Sequence, residues 1–166
     1  RAYIESVRKT YHDARHVCSA FIIGADRDIQ RSSDDGEPAG TAGVPMMQAL
    51  LARQTREDGT TDLSDVVAVV VRYFGGIKLG AGGLVRAYTD SVVQTLDGAL
   101  FDSRERLRVG QVPSSHADAG RLENEIRAAG LNVLGTEYGA EGATISLGVF
   151  DRPEELERAK ELVVSL

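Results

Sequence analysis

Residues 66–88 read VVAVVVRYFGGIKLGAGGLVRAY, and this succession of residue types predicts a strand, a glycine loop and a helix. Val66 to Val71 is an unbroken apolar run, nearly all of it β-branched. A run without alternation predicts a strand covered on both faces, hence the central strand of its sheet. It empties into Gly75, Gly76, Gly80, Gly82 and Gly83, residues that let a backbone take positive φ and approach a ligand closely. Beyond them Val85, Tyr88, Val92, Leu96 and Ala99 form one apolar stripe at helical spacing. From Val66 to Thr89 the only charged residues are Arg72, Lys78 and Arg86, a local charge of +3 without a carboxylate. A loop that ends on a helix N-terminus presents N–H groups that attract anions. Arg86, read as part of the first helical turn, lies at the unfavourable pole of the helix dipole, which predicts a carboxylate or bound anion nearby. Arg72, Gly75, Gly76, Lys78, Gly80, Gly82, Gly83 and Arg86 are therefore the candidate residues for binding an anion or a partner. The segment lacks the Lys-Ser/Thr pair of a Walker loop and the third glycine of a dinucleotide fingerprint. Glycines that serve only tight turns and close helix packing are the plainer alternative.

Upstream, Ile4, Val7 and Tyr11 predict a helix, and residues 15–24 (RHVCSAFIIG) a strand closed by Gly24. Residues 25–43 carry no sustained apolar pattern and read as a long loop, of the kind that in compact domains is usually functional or mobile. Within it, Ser33 to Pro45 reads SDDGEPAGTAGVP. Asp34, Asp35 and Glu37 have the chemistry to hold Mg²⁺, but pairing with Arg72, Lys78 and Arg86, or simple turn chemistry, is the favoured reading. No metal is assigned. Thr41 is the expected cap of a helix over 44–54, whose apolar face is Met46, Met47, Leu50 and Leu51. His16 and Cys18 share a strand face without a CxxC or HExxH partner, and a buried cysteine commonly acts as a small hydrophobe.

Downstream, the charged stretch DSRER (102–106) marks an expected boundary between domains 1–104 and 105–166. The second part predicts a strand over 107–112, then a helix opened by the capping box Ser115-x-x-Asp118 and stopped by Gly130. Two hairpin strands follow over 132–138 and 144–150, and a helix from Asp151. This βαββα order is a ferredoxin-like unit without its last strand, giving an α+β class for the whole chain.

The chain has 166 residues, 42% of them hydrophobic, with net charge −6 and pI near 5.1. That balance argues against a general polyanion-binding surface and confines any anion site to one local face. Residues 105–166 hold 7 Lys and Arg against 11 Asp and Glu, so the acidity lies mostly there. One cysteine excludes an internal disulfide, and no apolar run approaches the ~20 residues that span a bilayer. The expectation is a cytoplasmic protein without membrane contact.

With SDDGEPAGTAGVPMMQ, VVVRYFGGIKLGAGGLVRAY and the upstream DARHVCSAFIIG in view, the chain resembles the YigZ/IMPACT family over Arg1 to about Leu100, and its tail resembles the companion domain of bacterial members. Compared with those members, the first and last strands are missing and residues 54–64 are extended. The resemblance implies an N-terminal fold like that of elongation factor G domain IV and the GHMP kinases, and a C-terminal domain like elongation factor G domain V. It maps the family motifs onto Asp34, Asp35, Gly36, Glu37, Pro38, Gly40 and Thr41, and onto Arg72 to Gly76, Lys78, Gly80, Gly82, Gly83 and Arg86. It implies a translation-associated binding or regulatory protein whose partner is RNA, the ribosome or a translation factor. No cofactor is implied. The alternative is an enzyme or small-ligand protein that binds a phosphate or carboxylate at the glycine loop beside the acidic loop.

Overall fold

The computed structural model describes residues 1–165, which form two compact units divided between Asp102 and Ser103. The class is α+β, with five helices and two three-stranded antiparallel sheets among the described residues. The first unit runs α1 (Ala2–Thr10), β1 (His16–Ile23), β2 (Ile29–Ser33), α2 (Gly43–Ala52), β3 (Val66–Arg72) and α3 (Gly80–Asp97). Its sheet has the order β2-β1-β3. β1 is central because it alternates Cys18, Ala20 and Ile22 toward the core while Val17 and Ser19, on its other face, are also buried. Met46, Leu50, Leu84, Tyr88, Val92 and Leu96 from α2 and α3 close that core.

Three expectations change here. β3, apolar except for its last residue Arg72, lies at an edge of the described sheet, paired in register with β1 from His16↔Arg72 to Ile22↔Val66, and its residues are half-buried but for the exposed Val67. The loop read over 25–43 contains the strand β2, whose polar, exposed IQRSS sequence draws its pairing from β1 rather than from burial. The glycines 80, 82 and 83 belong to the first turn of α3, which places Arg86 in its second turn, away from the pole of the dipole. As a result Leu84 joins Tyr88, Val92 and Leu96 in the buried stripe, Val85 is exposed, and Ala99 falls beyond the helix.

The second unit runs β4 (Leu107–Ser114), α4 (Ala119–Ala128), β5 (Asn132–Tyr138), β6 (Ala143–Phe150) and α5 (Pro153–Ser165), with sheet order β4-β6-β5. Ile126, Val133, Ile145, Leu147, Val149 and Ala159 form its own core. The expected capping box forms only in part: Ser115 Oγ accepts the Asp118 N–H at 3.1 Å, but the Asp118 carboxylate accepts the Ser115 hydroxyl at 2.7 Å rather than its backbone N–H, and α4 begins after Asp118.

Candidate functional site

The loop between β2 and α2 turns through positive φ at Asp35 (43°), Gly36 (84°) and Gly40 (77°). Its three carboxylates take three separate tasks. Asp34 accepts the N–H groups of Gly40 (2.9 Å), Ala42 (3.1 Å) and Gly43 (2.8 Å), and so caps α2 from outside the helix. Thr41, expected in that role, instead donates its hydroxyl to the Pro38 carbonyl at 2.6 Å. Cap donors are satisfied by whichever acceptor the chain path brings to them, and here the path brings Asp34. Asp35 accepts Arg8 Nη1 at 3.0 Å on each oxygen and the Val17 N–H at 2.6 Å, tying α1 to β1. Burial works to raise both carboxyls, but these hydrogen bonds hold them below the usual carboxylate range.

Glu37 is the acid that reaches the glycine segment. Its side chain is 3% exposed, and its Oε1 accepts Arg72 Nη1 at 2.6 Å and the Tyr88 hydroxyl at 2.8 Å. Tyr88 in turn accepts from the Cys18 thiol at 3.3 Å, which also faces the Asp34 carbonyl at 3.0 Å. Burial opposes ionisation of Glu37, yet the Tyr88 and Arg72 hydrogen bonds outweigh it and keep the carboxyl low, so it is charged at neutral pH. Burial also pushes the Cys18 thiol up to about 11 and the Tyr88 phenol upward. A protonated, fully buried thiol is no nucleophile.

Above this network lies a cavity of about 570 Å³ lined by Arg15, His16, Glu37, Arg72, Phe74 and Lys78 together with Leu79, Gly80 and Ala81 at the start of α3. Three cations thus face one carboxylate, which already has a partner. The N-terminal turn of α3 carries no acid and takes no cap from the side chain of Leu79, so its N–H groups add to the positive field. Phe74 is 44% exposed, with the guanidinium groups of Arg15 and Arg72 at 5.7 and 6.0 Å from its ring centre. Tyr73 is 52% exposed and donates to Asp13 at 2.9 Å.

Of the residues singled out from the sequence, Glu37, Arg72, Lys78 and Gly80 line the cavity. Gly76 (φ 85°) and Gly80 (φ 72°) hold the positive φ, whereas Gly82 and Gly83 are helical. Gly75 and Gly76 are exposed and do not line the cavity. Arg86 is exposed and makes no ion pair among the described residues, so the carboxylate expected beside it is not there. Asp34, Asp35 and Thr41 are structural supports. Sequence reasoning missed Arg15, the role of Tyr88 as a polar group on a core stripe, and Phe74 as an exposed ring. The position of Arg15 at the start of the strand predicted over 15–24 was the available signal, whereas its place opposite the end of β3 comes from the pairing of the two strands.

A family model described as the Impact N-terminal domain matches residues 1–96. IMPACT family member YvyE of Bacillus subtilis is 45% identical over 125 residues, covering 75% of this chain and 54% of the relative. IMPACT family member YigZ of Escherichia coli is 50% identical over 98 residues, covering 58% and 44%. The chain spans about half the length of the curated relatives it matches. A crystal structure described as that of a hypothetical protein superposes with a TM-score of 0.68 at 31% identity, covering 99% of this chain and 75% of that one.

Proposed function

Because the chain belongs to the IMPACT family, defined by its Impact N-terminal domain, we propose that it is a non-enzymatic binding protein whose first unit takes a phosphate of single-stranded RNA in the cavity at the start of α3. The observation that carries the reading is the meeting of Arg15 and Lys78 with the exposed ring of Phe74 at one cavity. Cations track a nucleic-acid backbone, and exposed rings give unstacked bases a surface to stack on. An acidic protein with pI near 5.1 needs such a local site, because its overall charge repels a polyanion. The motif resemblance points to translation as the setting in which the RNA is met.

Binding of a short fluorescent single-stranded RNA, followed by anisotropy across a salt series, tests this. Lys78→Ala is expected to weaken binding and to make the slope of log affinity against log salt shallower by ~0.7. Phe74→Ala should weaken binding about tenfold with little change of slope. Variants that bind as the unmutated protein does, or an unmutated protein that binds no RNA at physiological salt, would overturn the reading. A second reading, a small anionic ligand, is favoured by the cavity's volume of about 570 Å³, which lies within the ~300–1,000 Å³ usual for such ligands. Inorganic phosphate or carboxylate shifting the amide resonances of Gly80 and Ala81, without RNA binding, would support it.

A further inference from the structure

Three of the four sheet edges among the described residues carry a device that discourages a further strand. β2 is five residues long, polar and largely exposed, with Arg31 at its middle. β4 contains Arg108 and Pro113, and β5 has a register shift between Val133 and Gly135 followed by Glu137. Charge, proline, bulges and short length are the means by which natural sheets keep free edges from pairing. β3 has none of them from Val66 to Val71. It pairs with β1 on one side and has no strand on the other among the described residues. An edge strand turns the N–H and C=O groups of alternate residues outward, and the partner they fit is another strand. The side chains match that partner as well. Val66, Ala68 and Val70 pack on the core, while the alternate residues Val67, Val69 and Val71 lie on the opposite face, Val67 being 38% exposed. An apolar run on both alternations is the composition of an interior strand, yet here it stands at an edge.

We infer that β3 is an interface edge and that its occupant is the β3 strand of a second copy of this chain, paired antiparallel about a two-fold axis at Val69. In that register Val67 faces Val71 and Ala68 faces Val70 of the second copy, so apolar side chains meet apolar ones on both faces of the joined sheet. Arg72 stands opposite Val66, which puts the two guanidinium groups at opposite ends of the pair and avoids a like-charge contact. The contact closes at two copies. An isologous pairing uses the β3 edge of each copy, and the polar β2 on the far side of the sheet leaves no second apolar edge for a third. A seven-residue strand is ~23 Å long, and a strip one strand wide falls short of the ~1,200 Å² that stable interfaces bury. The dimer is therefore reversible and concentration-dependent. It is independent of the RNA reading, since it uses the edge of β3 and not the cavity.

Sedimentation equilibrium of the full chain over a dilution series of about two decades, enough to take a reversible dimer from mostly paired to mostly single, tests this. The mass is expected to rise from 17.8 kDa toward twice that value as concentration increases. Val67→Lys alters an exposed side chain on the face away from the core and places a charge in the strip on each copy. It should weaken dimerisation at least about tenfold. Amide hydrogen exchange reads the same edge in the unmutated chain, and decides the matter should Val67→Lys fail to fold. The outward amides of β3 should exchange fast in dilute protein and become protected as concentration rises, while those of β2 stay unchanged. A chain that remains at 17.8 kDa at every concentration would overturn the inference. So would a dimer whose β3 amides gain no protection and whose affinity Val67→Lys leaves unaltered, because another surface would then form it. Association that continues past two copies would overturn the closed two-fold pairing.

Discussion

The carboxylate of Glu37 shows what a single residue contributes here. It is nearly inaccessible to water, and its charge is maintained by Arg72, whose own side chain is 19% exposed. Removing one member of such a pair leaves the other charge buried without compensation. Arg72→Met is therefore expected to destabilise the first unit by about 3 kcal/mol at neutral pH, read from urea unfolding. The pH dependence has a defined sign. Glu37 titrates lower in the folded than in the unfolded chain, so its contribution is present above the ordinary carboxylate pKa of ~4.3 and is lost as pH falls through the lowered folded value. The gap between the unmutated protein and Arg72→Met should accordingly narrow as pH drops below about 4. A gap independent of pH would show that Arg72 acts through packing alone. That an acid of the loop meets a base of the glycine segment is legible in the sequence from charge complementarity. Which of Asp34, Asp35 and Glu37 it is depends on the loop's path through the positive φ of Asp35 and Gly36, which no local pattern encodes.

At the scale of elements, the glycine segment divides by conformation rather than by composition. Gly80 has φ 72°, a value that costs an L side chain strain, whereas Gly82 is helical and a Cβ added there would meet nothing within 4 Å. Gly80→Ala should lower stability by ~1 kcal/mol, and Gly82→Ala should raise it by ~0.5 kcal/mol through helix propensity. Thermal unfolding of the two variants measures both signs, and equal effects would contradict this assignment of the helix start. Gly43 is a different case: a Cβ there would come within 2.8 Å of the Ser33 backbone nitrogen, so close contact between α2 and β2 explains that glycine. The strand β3 illustrates the limit of pattern reading. Val66 to Val71 announces a strand, and it is one. Its edge position follows from which segments pair with β1, and the polar segment that takes the other side of β1 has no apolar signal of its own.

For the whole molecule, separate cores on either side of Asp102 lead to a prediction about autonomy. A fragment of residues 1–102 should unfold cooperatively and keep the amide spectrum of the same residues in the full chain. Its RNA affinity should equal or exceed that of the full chain, because the removed residues hold more acids than bases. A fragment with collapsed spectral dispersion would show that the first unit depends on the second. Among the described residues no helix is long and apolar enough to cross a membrane. The sequence by itself determined the α+β class, the succession of strand, glycine loop and helix, the Ser115–Asp118 pairing ahead of α4 and the two motifs that identify the family, because these are properties of short windows, periodicity and residue order. Only the tertiary structure decided that β1 rather than β3 is central, that Asp34 caps α2, and that Arg15, His16, Glu37 and Phe74 share one cavity with Lys78. The physical reason is that burial, pairing and hydrogen-bond satisfaction are settled between segments far apart in the chain, and an acceptor or an edge is defined only by what arrives beside it.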